Sequence, residues 1–313
     1  MRRMTVRINK YQGVNTLGKV SLNKEHPFCK LLRYNFTLSK YMRQLSITLF
    51  SIIFLNSCSG DSENSGSETS QFIQPTPVIN YAVTKYFAHD TSLFTEGLLF
   101  HNGHLFESTG SPEEFPQTRS LIGISDLTTG KFTSKIEIDK SRYFGEGIVF
   151  LNNKLYQLTY KNKVGFIYDA KTFKRIGQFK YSNNEGWSLT TDGTNLIMSD
   201  GTDVLTYLDT AKLTPAKTLR VTENGYPVDK LNELEFIKGF IYANIWTSDF
   251  IVKIDPANGE VVGKFDLSAL ANEAKGINSN ADVLNGIAYD SISDKVYVTG
   301  KRWANIYQIQ FSR

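Results

Sequence analysis

Glu146 stands between two glycines in the stretch YFGEGIVFLNNKLYQLTY (143–160), ahead of an otherwise apolar hairpin. A carboxylate there is awkward in a core and unneeded in a turn. The chain repeats this hairpin, and aligning the copies gives Glu146 four counterparts: Glu96, Trp187, Asn232 and Asn285. A second column, where the following strand ends, holds Gly110, Tyr160, Gly201, Trp246 and Lys301. The two columns supply paired carboxylates for proton transfer, carboxamides and an ammonium to steady a developing oxyanion, and aromatic walls for a small-ligand pocket. Each residue also has an ordinary reading. Indoles pack between layers, Asn caps turns, and Glu and Lys are solvated charges. Core positions of the copies agree in type (Phe100, Phe150, Phe236 and Tyr289), whereas these columns differ from copy to copy, as a site assembled by pseudo-symmetry would.

The elements that must position these residues recur at spacings of 41 to 53 residues. The hairpins are EGLLFHNGHLFESTG (96–110), EGIVFLNNKLYQLTY (146–160), WSLTTDGTNLIMSDG (187–201), NELEFIKGFIYANIW (232–246) and NGIAYDSISDKVYVTGK (285–301). Four of the turns are Asn-Gly, Asn-Asn, Asp-Gly and Lys-Gly, which are hairpin signals; the fifth is a longer Ser/Asp loop. The first four hairpins are each followed by strand, Asp-containing turn, strand. The fifth is followed only by NIYQIQF, and INYAVTKYFAH (79–89) is the missing strand from the other end of the chain. The expected fold is therefore all-β, a five-bladed β-propeller with four-stranded blades, over residues 78–313. An irregular β-sandwich is the alternative, and the repetition argues against it. In a propeller the first strand of each blade lines the channel, so both columns should open on one mouth.

The rest of the chain is different in character. Of 35 Lys and Arg and 31 Asp and Glu, residues 1–57 hold ten and one, leaving 25 bases against 30 acids beyond them. The net charge of +4 thus hides a mildly acidic domain, and this balance argues against nucleic acid as a partner. MRQLSITLFSIIFLNSC begins at Met42 and carries an apolar run too short for a permanent span, as in a signal peptide. Its end, LNSC, resembles a bacterial lipobox, which implies a signal peptide over 42–57 and lipidation of Cys58. Residues 1–41 read as a disordered extension or a misassigned start, and 58–77 as a flexible tether. The location expected is the cell envelope, facing the periplasm or the surface. Ser59 rather than Asp after the cysteine points to the outer membrane. A monomer is expected. Cys29 and Cys58 are the only cysteines, so the folded part has no disulfide framework or thiol nucleophile. The two histidines of HNGH (101–104) straddle a turn with no third ligand, a poor zinc site. The Asp-Gly pairs at 192–193 and 200–201 read as turns rather than calcium ligands.

At YFGEG, GFIYD, GW, DGT, LNELE, ANIW, DVLNGIA and VTGK the sequence resembles the plant and bacterial glutaminyl-peptide cyclotransferases, or glutamine cyclotransferases, from about residue 83 to 311. The resemblance implies a five-bladed propeller that converts N-terminal glutamine of peptides to pyroglutamate and releases ammonia. It places the catalytic glutamate at Glu146, polar residues around the reacting amide at Asn232 and Lys301, and pocket aromatics at Phe94, Phe144, Trp187 and Trp246. Two positions depart from the family pattern: Glu96 stands where Gln is common, and Tyr160 where Trp is frequent. Glu96 puts a second carboxylate near Glu146, which should raise one pKa. Asn285 joins the substrate-binding set from its column alone. The chemistry needs no cofactor; a structural ion in the channel is left open. The competing class is a lipid-anchored propeller that binds peptide or glycan without turnover. A sugar or lactone enzyme would want a metal-binding carboxylate cluster, which the sequence does not display.

Overall fold

A computed structural model describes residues 74–312. The expected extension at 1–41, the signal peptide at 42–57, Cys58 and most of the 58–77 tether lie outside them. Within the described residues the strands form five four-stranded antiparallel sheets, a two-stranded hairpin at Thr222–Glu223 and Tyr226–Pro227, and one helix at Ser268–Ile277. The five sheets are the blades of the expected propeller.

The innermost strands are Thr95–His101, Gly145–Leu151, Ser188–Thr191, Leu231–Ile237 and Leu284–Asp290. Each touches the next around the ring, and the fifth touches the first. The second strands return through tight turns whose residues take positive φ: Asn102 and Gly103, Asn152 and Asn153, Lys238 and Gly239. That backbone matches strand twist, which is why Asn and Gly occupy it. The turns between third and fourth strands are closed by aspartates. Asp126, Asp169 and Asp209 each accept two backbone N–H bonds from residues two and three further on, which is how Asp favours turns.

Adjacent strand residues face opposite sides of a blade, and in a propeller both sides are buried. Leu196 thus packs toward the second blade while Ile197 packs toward the fourth. The described residues accordingly form five apolar clusters, one at each junction between blades. The helix, not foreseen from the sequence, lays Leu270, Ala271 and Ala274 onto the cluster between the fourth and fifth blades. The spacing of those residues is that of a single helix face.

The fifth blade is closed by Tyr81–Ala88, paired antiparallel with Asn305–Phe311, as expected from the unpaired strand at each end. Attachment begins earlier than the expected tether boundary. Thr76 is buried, and the Pro77 carbonyl accepts the Lys264 amide at 2.9 Å on the outer strand of the fourth blade.

The channel is held at its centre by one carboxylate. Glu233, on the fourth blade, accepts the amide of Leu98 on the first at 3.2 Å and that of Ile287 on the fifth at 2.8 Å. Glu235 accepts the Tyr289 amide at 2.9 Å. Buried backbone donors need partners, and the inner edges of a propeller have no fifth strand to supply them. We expect Glu233→Ala to cost about 1–3 kcal/mol for each of two orphaned amides, and Glu233→Gln to orphan one of them. Denaturant unfolding of the three proteins checks the order; equal stability would refute the clamp.

Candidate active site

Four of the five residues in the first column sit where an inner strand is irregular. Register shifts fall between Thr95 and Gly97, Gly145 and Ile148, Leu231 and Leu234, and Leu284 and Ile287. These brackets contain Glu96, Glu146, Asn232 and Asn285. Bulges re-aim side chains, and here they do so at the same level of four blades. The glycines around Glu146 follow from this crowding. A Cβ on Gly147 would run into the Ser188 backbone, and one on Gly145 into the Thr109 carbonyl and Gln157. The bulges are pinned by neighbouring hydroxyls: Ser108 Oγ donates to the Glu146 carbonyl at 2.8 Å, and Ser199 Oγ to the Asn232 carbonyl at 2.7 Å. Gly147 N donates to the Trp187 carbonyl at 2.9 Å.

Glu96, Glu146, Trp187 and Asn232 from the first column line one cavity of about 380 Å³, with Tyr160, Trp246 and Lys301 from the second and Phe94 and Phe144 beside them. Such a volume suits a small ligand. Phe94 meets Phe144 edge-on at 6.5 Å, and Phe144 leans on Tyr160 at 5.8 Å. Across the cup Trp187 and Trp246 meet edge-on at 5.4 Å. The glycines of the second column make room for these rings. A side chain on Gly110 would strike Phe144, and one on Gly201 would strike Trp187. Trp187 is further held by its Nε1, which donates to Glu185 Oε2 at 2.8 Å.

Asn285 does not line the cavity. Its Nδ2 donates to the Thr95 carbonyl at 2.9 Å and lies 3.5 Å from Glu96 Oε2. The next residue, Gly286, has a φ of 126° within the same bulge. The Asn285 Nδ2 is thus engaged with the strand that carries Glu96, whereas Asn285 was expected among the substrate-binding residues, and its Oδ1 has no partner among the described residues. Five further lining residues were not found from sequence: Pro112, Glu114, Thr247, Asp282 and Val283. They come from connections of unequal length, where no repeat column exists to expose them.

The polar floor is built on a buried ion pair. Lys301 Nζ donates to Glu96 Oε2 at 2.6 Å and lies 4.7 Å from the centre of the Phe94 ring. Burial raises the Glu96 pKa, Lys301 pulls it down and Asp282 pushes it up, leaving it at about 7. Glu146 is 5% exposed, and no described residue hydrogen-bonds its carboxyl group. Burial above all, with Glu96 adding and Lys301 opposing, holds its pKa well above the usual carboxylate range. Burial thus favours the protonated form of Glu146, and a cation brought into the cup would oppose it. Asn232 is buried with its Oδ1 unpaired, so that oxygen can still accept a hydrogen bond. A buried acid of raised pKa, an ammonium, a carboxamide and an aromatic wall suit acyl chemistry on a small polar group. Among the described residues, no group of three or more His, Cys, Asp or Glu is placed to hold a metal ion.

Residues 52–311 match the family model described as glutamine cyclotransferase. A glutaminyl-peptide cyclotransferase of Arabidopsis thaliana is 40% identical over 235 residues, covering 74% of this chain and 71% of the relative. The crystal structure of Myxococcus xanthus glutaminyl cyclase superposes with a TM-score of 0.67 at 33% identity, covering 76% of this chain and 99% of that one. The chain belongs to the glutamine cyclotransferase family of enzymes.

Proposed function

We propose that this enzyme cyclises the N-terminal glutamine of peptides to pyroglutamate and releases ammonia, with Glu146 moving the protons. The observation that carries the reading is a buried carboxyl group with a raised pKa and no hydrogen-bond partner among the described residues, set beside the Glu96–Lys301 pair in an aromatic cup. A substrate enters with its α-amine largely as ammonium, since that group titrates near 8. The cationic amine displaces the proton of Glu146 to solvent, because the cup then holds a compensating charge. Carboxylate and ammonium exchange one proton, which frees the amine. The amine nitrogen attacks the γ-amide carbon, and the C–N bond of the ring forms as the carbonyl oxygen takes negative charge. Lys301 Nζ and the Asn232 amide donate to that oxygen. Glu146 gives its proton to the amide nitrogen, the old C–N bond breaks and ammonia leaves. Glu146 then takes back the proton that remains on the ring nitrogen. The reaction is intramolecular, so much of the barrier is met by folding the side chain back within the cup. The aromatic walls exclude the water that would otherwise give glutamate.

The test follows a Gln-initiated peptide by mass spectrometry against its spontaneous cyclisation. We expect loss of one ammonia with the wild type, and a fall in kcat of about 10²–10⁴-fold in Glu146→Gln with folding retained. Full activity in that variant removes the role of Glu146, and a bound but unchanged peptide with the wild type removes the enzymatic reading.

Glu96 gives a second test. Its charge raises the pKa of Glu146. Glu96→Gln removes that charge, so the acid limb of kcat/KM should move to lower pH. A limb that stays or rises refutes the coupling.

The proposal extends to anchoring on the cell envelope through a lipid on Cys58, on the strength of LNSC alone. Labelled fatty acid should enter the wild type in a bacterial host and not Cys58→Ser; equal labelling would exclude it.

A further inference from the structure

A second buried ion pair lies outside the cup. His89 Nδ1 is 2.8 Å from the Trp303 carbonyl, which can only accept. Its Nε2 is 3.1 and 3.2 Å from the two oxygens of Glu107. With Glu107 ionised both ring nitrogens donate, and the ring is then an imidazolium. Burial opposes that charge, but Glu107 and the Trp303 carbonyl outweigh it, and the pKa of His89 is raised. The same carboxylate accepts Thr95 Oγ1 at 2.8 Å and Ser125 Oγ at 2.6 Å. All four donor–acceptor partners are fully buried or nearly so.

The connections of this cluster run to the site. Thr95 precedes Glu96. Trp303 ends the turn that begins at Lys301, and the His89 amide also donates to the Ala304 carbonyl at 2.9 Å. Trp303 in turn fixes the far side of that turn, with Nε1 donating to the Asp282 carbonyl at 2.8 Å. His89 itself follows the strand that closes the ring, Tyr81–Ala88. Glu96 and Lys301 are 205 residues apart in sequence and come from different blades. One carboxylate and one imidazolium grip the two segments that carry them.

We infer that His89 and Glu107 are positioning residues, which hold the Lys301 turn against the strand of Glu96 and so set the ion pair on the floor of the cup. The inference rests on the placing of Lys301 and Glu96 in the active site. It also gives the closing strand a second role, since ring closure delivers His89 to the turn. The charged groups facing the carboxyls of the cup are Lys301, Asp282 and Glu185, and those facing His89 are Glu107 and Asp90.

The test uses His89→Ala and Glu107→Gln, with Val252→Ala as a control for lost stability. Val252 is buried in the core between the third and fourth blades, away from the cup. A displaced Lys301 no longer lowers the pKa of Glu96 and Glu146. We expect kcat to fall about 10- to 100-fold with KM changed less, and the acid limb of kcat/KM to move to higher pH. That is opposite to the shift expected for Glu96→Gln. Val252→Ala, at matched Tm, should keep the wild-type profile. If His89→Ala and Glu107→Gln share that unmoved profile, the pair is structural only and the inference falls. A measurement on the wild type reads the coupling independently of both turnover and folding of variants. The ring nitrogens of His89, followed by ¹⁵N NMR, should be doubly protonated and should shift as Glu96 titrates at about pH 7. Signals that stay flat through that range overturn the positioning role even where the cyclase assignment stands. Lys301→Met with full activity overturns the site assignment itself, and the positioning role with it.

Discussion

The pairing of Tyr81–Ala88 with Asn305–Phe311 is the constraint on which the rest depends. It joins the two ends of the folded domain, and nothing else in the fifth blade can complete the sheet. Closing a loop of more than 200 residues costs on the order of 5 kcal/mol in chain entropy. A full ladder of backbone bonds and the apolar cluster between the fifth and first blades offset that cost. Once the ring is shut, the inner strands have no freedom to spread, and their ends must converge.

Convergence creates both an opportunity and a difficulty. It brings Glu96, Glu146, Asn232 and Lys301 into a single cup although they come from four blades. It also leaves inner-edge amides with no strand to pair with. The chain answers with side chains: Glu233 reaches two other blades, and Ser188 and Thr190 accept the amides of Leu234 and Phe236. Polar residues in the channel are therefore of two kinds. Those deep in it satisfy backbone, and those at the mouth are left unsatisfied or tied to each other.

That difference explains the electrostatics. Burial raises the pKa of Glu146 and Glu233 alike. Glu233 spends both oxygens on amides, whereas Glu146 spends neither on a described residue. The first is a structural acceptor, and the second keeps both oxygens open to the cup. A single buried cation, Lys301, keeps two carboxyl groups in one small cup tolerable. The departure at Glu96 is thus absorbed by a 2.6 Å ion pair rather than left as bare repulsion.

The sequence by itself determined the blade count, the hairpins, the closing strand and most of the cup. Those features are local or periodic: Asn-Gly turns, apolar runs of strand length and an aligned column can be read without coordinates. Glu146 and Trp187 were legible because repetition gave each of them counterparts. The helix at Ser268–Ile277 and the short hairpin at Thr222–Pro227 belong to no repeat and escaped that reading. Only the tertiary structure decided which column residues reach the cavity. Asn285 shares its column with Glu146, yet its Nδ2 is spent on the Thr95 carbonyl and it does not line the cavity. Only the fold could bring His89 to Trp303, or Glu114 and Asp282 to the cup, because their contacts cross blades through connections without a common length. Periodicity reports what each blade repeats; the contacts between unlike loops depend on how the closed ring stacks them.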